Sequence, residues 1–241
     1  MIQLPILRPH DGAPFPPVES ALREPDGLLA AGGDLSSERL LDDYRHGIFP
    51  WYSKGQPILW WSPDPRTVFA TDRVHVSTRL KRWLRHCDWT IHADRDFAGV
   101  VRACAAPRTH QQTTWIVPEM FAAYCRLHEL GHAHSIEVYD GAALAGGIYG
   151  VAIGHMFFGE SMFSAATNGS KVALLGLCRA LHRWEFALLD AQVASPHLAT
   201  LGAFEMPRGE FVAHVAKACA KPFPTDHWRE RWPVLAARDL A

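Results

Sequence analysis

SIEVYDGAALAGGIYGVAIGHMFFGESMF, residues 135–163, decides the fold. Ser135–Tyr139 is a short run rich in β-branched and aromatic residues, and Asp140-Gly141 is a strong hairpin signal. Ala142–Ile153 returns as a second strand, Gly154 turns the chain again, and Met156–Phe163 reads as a third. Strands joined by turns this tight pair antiparallel with their neighbours. Downstream, Ser170 is expected to cap a helix to about Trp184, followed by a strand over Phe186–Val193 and a helix near Arg208–Ala220. Upstream, a strand over Thr67–Ala70 leads to helices at Thr78–His86 (capped by Ser77), Asp96–Cys104 and, after Pro118, Glu119–Leu130. This order implies an α+β fold, a mainly antiparallel sheet with helices on its faces.

Residues 1–64 read differently. The first fifteen or so are Pro-rich and irregular, and Ser36 or Ser37 opens a helix through Arg45 that ends at Gly47. Gly32-Gly33 lacks the Lys and spacing of a phosphate loop and is read as a turn. GIFPWYSKGQPILWWSPDP, residues 47–65, carries four prolines and three tryptophans, too many breakers for a regular element. The boundary between a small N-terminal domain (1–64) and a larger one (65–241) is therefore placed at Pro63–Pro65.

The 241 residues are 48% hydrophobic and 20% charged, a globular composition. No run approaches the ~18 apolar residues of a membrane span, and MIQLPILRPHDG lacks a signal peptide's design. Five scattered cysteines without CxxC spacing argue against a disulfide framework or zinc ribbon, and a reduced cytoplasm is expected. The formal net charge of −1 hides an uneven distribution. Residues 1–65 hold five basic and nine acidic side chains, whereas residues 66–86 hold six basic side chains against Asp72 alone. Within that basic segment TRLKRWLRH sets Arg79, Lys81, Arg82 and Arg85 on a short helix, either an ordinary solvated face or a surface for phosphates.

In FALLDAQV, residues 186–193, every residue except Asp190 and Gln192 is apolar or Ala. Strand period two puts both polar groups on one face beside Phe186 and Leu188. An Asp in a buried strand needs a reason: a satisfied structural hydrogen-bond pair, or a catalytic dyad. His128-Glu129-Leu130-Gly131-His132 matches the zinc-protease pattern HExxH, but Gly131 falls where a helix ends. The i,i+4 geometry is then lost, no third ligand is evident, and no metal is expected. Ser161 and Ser164 have no adjacent His to activate them, which argues against a nucleophilic serine.

GESMFS (159–164), DAQ (190–192) and ATLGA (199–203) carry a resemblance, together with REPDGLLAAGGDLS (23–36), GIFPWYS (47–53), PILWWSPDPR (57–66) and HELGHAHSIEVY (128–139). The chain resembles the bacterial leucyl/phenylalanyl-tRNA–protein transferase family from about Phe15 to Arg208. The resemblance implies an acetyltransferase-like (GNAT-like) larger domain. It implies transfer of Leu or Phe, and less efficiently Met, from aminoacyl-tRNA to the N-terminal amine of proteins beginning with Arg or Lys, in the N-end rule pathway. Such aminolysis of an activated ester requires no cofactor. Asp190 and Gln192 are the implied catalytic pair, Gln192 accepting a hydrogen bond from the amine and Asp190 orienting Gln192 and favouring the ammonium. Glu160 is the implied polar anchor for the amine or the acceptor's cation. Trp51 and Trp115 match positions at the aminoacyl-adenosine site, while Trp60 and Trp61 are expected in the core. Ile148, Phe157 and Leu177 match the donor side-chain pocket, with Ile148 and Leu177 standing where larger residues are commoner. Arg79, Lys81, Arg82 and Arg85 are then the implied tRNA contacts. A monomer is expected, and Asp190→Asn is expected to lower turnover with little effect on folding. A CoA-dependent acyltransferase of similar fold is the first alternative, weakened because Asn168-Gly169-Ser170-Lys171 is a poor pyrophosphate loop. A non-catalytic RNA-binding module is the second, and it leaves Asp190, Gln192 and Glu160 without a role.

Overall fold

A computed structural model of the chain describes residues 4–107, 114–224, 227–233 and 235–241. In chain order the elements are β1 (Ile6–Leu7), β2 (Leu28–Gly32), α1 (Ser37–Arg45), β3 (Phe49–Pro50), β4 (Leu59–Trp61), β5 (Arg66–Ala70), α2 (Thr78–Leu84) and β6 (Thr90–Ala93). They continue with α3 (Phe97–Ala105), α4 (Pro118–Glu129), β7 (Ala133–Asp140), β8 (Ala143–Ile153), β9 (Met156–Ser164) and α5 (Gly169–Arg183). The last are β10 (Leu188–Gln192), α6 (Pro196–Thr200), β11 (Phe204–Met206), α7 (Arg208–Cys219), α8 (His227–Arg231) and β12 (Leu235–Ala236).

The hairpins form as their turns dictate. β7 pairs β8 and β8 pairs β9, both antiparallel. The large sheet runs β11-β5-β10-β9-β8-β7-β6-β12, with β9–β10 its one parallel pair among the described strands. A smaller sheet, β1-β2-β4-β3, is built from the N-terminal residues. The Pro- and Trp-rich segment 47–65 is therefore not wholly irregular: it supplies β3 and β4. Pro50 lies on β3, an edge strand, where a missing N–H costs the sheet nothing.

Two apolar layers sandwich the large sheet. One holds Leu40, Tyr44, Phe97, Tyr124, Phe158 and Phe211, so α1, α3, α4 and α7 cover that face. The other holds Leu80, Leu84, Phe157, Leu177, Leu189 and Trp228, so α2 and α5 cover the opposite face. Trp60 is fully buried as expected, donating Nε1–H to the Gly32 carbonyl at 2.8 Å, whereas Trp61 is only half-buried.

Caps agree with the sequence at Ser77, whose Oγ accepts Leu80 N–H, whereas Asp96, expected as the first residue of its helix, is instead the cap and accepts Gly99 N–H. They disagree at Ser170. Helix α5 starts two residues earlier, after Asn168 in the left-handed region (φ 75°), and Ser170 instead takes the hydroxyl proton of Ser164. Gly146 and Gly169 let α5 sit directly on β8, since a Cβ on either would run into the other's strand or helix backbone. No helix among the described residues is long and apolar enough to cross a membrane.

Candidate active site

Two bulges aim three polar side chains at one place. On β9, Gly159 pairs with Gly150 and Ser161 with Tyr149, leaving Glu160 as the extra residue. On β10, Asp190 pairs with Val68 and Gln192 with Thr67, so Ala191 is extra and Gln192 takes φ 62°. A bulge bends its strand and redirects a side chain. The period-two face expected for Asp190 and Gln192 is therefore not what brings them together. The strand also begins at Leu188, and Phe186 packs on the opposite layer from Leu188. What joins the pair is a backbone contact: Gln192 N–H donates to Asp190 Oδ1 at 2.9 Å. The Gln192 side chain turns to Glu160, donating Nε2–H to Oε1 at 2.8 Å.

Asp190 has a partner that the sequence pattern did not single out. Arg66, the first residue of β5, donates from Nε to Oδ1 at 2.8 Å and from Nη2 to Oδ2 at 2.7 Å. Its Nη1 reaches the Gly47 carbonyl at 3.1 Å, and its guanidinium lies 4.6 Å from the Phe49 ring centroid and 4.7 Å from that of Phe211. Both side chains of the pair are essentially inaccessible to solvent. A planar guanidinium matches a carboxylate two bonds at a time, and stacking on aromatic faces suits it. Asp190 is thus neutralised in place. Replacing it with Asn leaves a buried guanidinium with half a partner, so Asp190→Asn perturbs folding as well as chemistry, contrary to the expectation from the sequence.

Glu160 sits among hydroxyls. Tyr44 on α1 donates to Oε1 at 2.7 Å, Tyr124 on α4 donates to Oε2 at 2.6 Å, and the two hydroxyl oxygens are 2.8 Å apart. Burial pushes the Glu160 carboxyl up to about 7, overcoming the lowering by the hydrogen bonds from Tyr124, Tyr44 and Gln192, with Asp190 adding to the rise. Burial likewise raises Tyr44 and Tyr124 well above the usual phenol range. Tyr149 lies edge-on to Tyr124 at 5.4 Å, and its buried hydroxyl has no hydrogen-bond partner among the described residues. The tyrosines carried no pattern pointing to Glu160, since they stand 116 and 36 residues from it. Arg66 did carry a weak signal: a buried Asp demands a cation, and Arg66 begins the basic segment.

The remaining implied residues fall in three groups. Trp51 (43% exposed) and half-buried Trp115 share one cavity of about 350 Å³ with Tyr52, Leu59 and Trp61. Residues 111–113, the polar run before Trp115, lie outside the described residues. Ile148, Phe157 and Leu177 are buried together in the layer covered by α5, with Phe157 5.5 Å from Trp228. Phe157 precedes the bulge and so lies across the sheet from Glu160. Beyond the bulge, Met162, Phe163 and Ser164 line a larger cavity of about 740 Å³ with Ala103 and His197. Arg79, Lys81, Arg82 and Arg85 are all exposed on or beside α2.

The HExxH match dissolves in the fold. Helix α4 ends at Glu129 and Gly131 has φ 78°, so His132 is off the helix. His128 and His134 instead gather with Asp94, a third polar partner that the sequence did not reveal. His134 Nδ1 lies 2.7 Å from Asp94 Oδ2 and Nε2 3.2 Å from the Gly131 carbonyl, while His128 Nδ1 meets the Ala133 carbonyl at 2.8 Å. These nitrogens tie the end of α4 to β7.

A model of the leucyl/phenylalanyl-tRNA protein transferase family matches residues 68–216, and a model of that family's N-terminal domain matches residues 33–64. The chain belongs to this family. A leucyl/phenylalanyl-tRNA–protein transferase from Xanthomonas campestris pv. campestris strain B100 is 57% identical over 237 residues, covering 98% of this chain and 95% of that one. One from Xylella fastidiosa strain 9a5c is 56% identical over 236 residues, covering 98% and 97%. Among solved structures, L-PGS from Bacillus licheniformis is a distant likeness, with TM-score 0.38 and 7% identity over 69% of this chain and 53% of that one.

The buried charges of the site set its stability. Arg66→Met strands the Asp190 carboxylate and is expected to cost about 3–5 kcal/mol in urea unfolding, whereas Arg66→Met with Asp190→Leu recovers much of that loss. A single variant as stable as the parent would show the pair to be superfluous. Glu160 binds its proton more tightly folded than unfolded, so its contribution is full below about 4.5 and is lost as pH rises to about 7. Each unit of that shift corresponds to about 1.4 kcal/mol. The wild type should therefore lose stability relative to Glu160→Gln across this window, and parallel pH curves would refute the assignment.

Proposed function

We propose that this chain transfers leucine or phenylalanine, and less efficiently methionine, from charged tRNA to the α-amine of proteins that begin with Arg or Lys, in the cytoplasm and as a monomer. The observation that carries this reading is the family match over nearly the whole chain, joined to a buried Asp190–Gln192–Glu160 cluster at the bulges. Residues 1–64 and 65–241 act as two units in this reading, the first lending Tyr44 and the Gly47 carbonyl to the cluster of the second.

The reaction needs little beyond positioning. The amine nitrogen attacks the ester carbonyl, the C–N bond forms, the bond to the ribose 3′ oxygen breaks, and a proton passes from nitrogen to that oxygen. An α-amine with pKa of about 7.7–8.0 is already neutral in appreciable fraction at cellular pH. Holding amine and ester together contributes up to about 7–11 kcal/mol. Gln192 is suited to steer the amine: its Nε2 is committed to Glu160 and its backbone to Asp190, which fixes the amide with its oxygen as an acceptor for the amine. Asp190 acts through that backbone contact, and Arg66 holds Asp190. Trp51 and Trp115 are placed to take the terminal adenosine, since unpaired bases stack on aromatic rings. Ile148, Phe157 and Leu177 shape the wall behind the donor side chain, and the exposed cations of α2 meet the tRNA backbone.

Leucyl-tRNA incubated with a peptide beginning with Arg should yield a product heavier by one leucine residue. Gln192→Ala should fold normally and transfer slowly; wild-type turnover would remove Gln192 from the mechanism. Lys81→Glu with Arg82→Glu should weaken binding of whole charged tRNA and flatten its salt dependence, while sparing a minimal aminoacyl-adenosine donor. Equal losses with both donors would move the tRNA contact elsewhere.

A further inference from the structure

Glu160, Tyr44 and Tyr124 close a ring of oxygens. Its three sides are 2.7 Å (Tyr44 to Oε1), 2.6 Å (Tyr124 to Oε2) and 2.8 Å (hydroxyl to hydroxyl). Each is a full hydrogen-bond distance. Three such contacts need three protons, and two phenols supply two. With an ionised carboxyl, both hydroxyls point at Glu160 and the hydroxyl–hydroxyl side sets lone pair against lone pair. Tyr44 and Tyr124 are fully buried, so water does not relieve that contact. The other neighbours do not supply the proton either. Gln192 Nε2 is spent on Oε1, and the hydroxyl of Tyr149, on β8, reaches no partner among the described residues. A proton on the carboxyl completes the ring by reversing one contact: Oε2–H then donates to Tyr124 rather than accepting from it, Tyr124 donates to Tyr44, and Tyr44 to Oε1. Each oxygen then meets its neighbours with one proton per side.

The surrounding charges point the same way. Tyr44 faces Glu160 from α1, Tyr124 from α4, Tyr149 from β8, and Gln192 and Asp190 from β10. The cation described near them, Arg66 on β5, is matched to Asp190. A second carboxylate here has no counter-charge of its own among the described residues, and burying one is costly.

We propose that Glu160 is a neutral acid before the acceptor arrives, its proton held in the ring by Tyr44 and Tyr124, and that a cationic amino terminus expels this proton to solvent. The Glu160 O–H bond breaks, the proton passes to water, and the ammonium supplies the charge that the new carboxylate needs; return of one ammonium proton to Glu160 then leaves the neutral amine that attacks the ester. Tyr44 and Tyr124 are positioning residues, acting through Glu160. The expulsion half rests on the function proposed above; the ring does not.

Infrared spectra of the intact chain at about pH 6, below the range to which burial raises the carboxyl, test the ring directly. A protonated-carboxyl carbonyl band should appear in the difference between wild type and Glu160→Gln, and should shift when glutamate is carbon-13 labelled. That difference also removes Glu137, whose carboxyl burial likewise pushes up to about 7. In the Glu160→Gln variant an amide N–H replaces the acid O–H, so the ring geometry survives the substitution. Tyr44→Phe should keep the band and move it to higher wavenumber, because Tyr44 donates to that carbonyl oxygen; a merely structural tyrosine leaves it in place. An acceptor-free enzyme without the band overturns the ring. Adding a peptide that begins with Arg, in weak buffer, should bleach the band and release one more proton per chain from wild type than from Glu160→Gln. A band that persists with peptide bound overturns expulsion. A peptide that neither binds nor reacts counts against the proposed function and leaves the ring standing.

Discussion

The ion pair between Arg66 and Asp190 is the constraint around which the site is arranged. Two charges buried together cost several kcal/mol of desolvation each, recovered only when geometry and hydrogen bonding are complete. Completion here draws on distant parts of the chain. β5 presents the guanidinium, β10 the carboxylate, the Gly47 carbonyl after α1 takes a further N–H, and Phe49 and Phe211 enclose the cation. The pair therefore fixes the smaller sheet's α1–β3 connection against the larger sheet. Tyr44 stands in the last turn of α1, just before that connection, so the same pair bears on where Glu160 finds its hydroxyl donor.

From this follows a division of labour between the two carboxyls. Asp190 is charged, matched and rigid, and its remaining influence passes through the backbone N–H of Gln192. Glu160 has no cation of its own among the described residues, and burial raises it to about 7. A carboxyl raised by burial among polar partners is a recurrent mark of functional sites. Glu160 is itself the extra residue of the β9 bulge, whereas Asp190 stands in regular register just before the β10 bulge that turns Gln192, on the two strands that form the parallel pair of the large sheet. Past those bulges β9 leads to Met162, Phe163 and Ser164 at the larger cavity, and β10 to the left-handed Gln192.

How much of this was legible from residues alone depends on the range of the interaction involved. The central hairpins were, because Asp140-Gly141 and Gly154 are local turn chemistry and the strands between them are long. The cap at Ser77 was legible for the same reason. β3 and β4 were hidden behind their prolines, since an edge strand tolerates what a central strand does not. Period two predicts a shared face for Asp190 and Gln192, whereas the bulge at Ala191 breaks that period and a backbone contact joins the two residues. Arg66, Tyr44 and Tyr124 were out of reach of any local rule. Each meets its carboxyl across 36 to 124 residues, and only the closed sheet and its helices bring them together.

The absence of a strong base among these groups is consistent with the chemistry rather than a gap in it. Asp190 is locked to Arg66, so drawing a proton onto it would break two short hydrogen bonds in a dry interior. Glu160 at about 7 is matched to an amine that is itself close to neutrality, and a group poised near the working pH exchanges protons with little driving force in either direction. Gln192 carries no charge and holds its orientation through two contacts of its own. A site of this kind cannot accelerate a reaction that needs a forceful deprotonation. It can accelerate one whose ester is already activated and whose nucleophile needs only to be uncharged, desolvated and aimed, and aminolysis of an aminoacyl ester meets those three conditions.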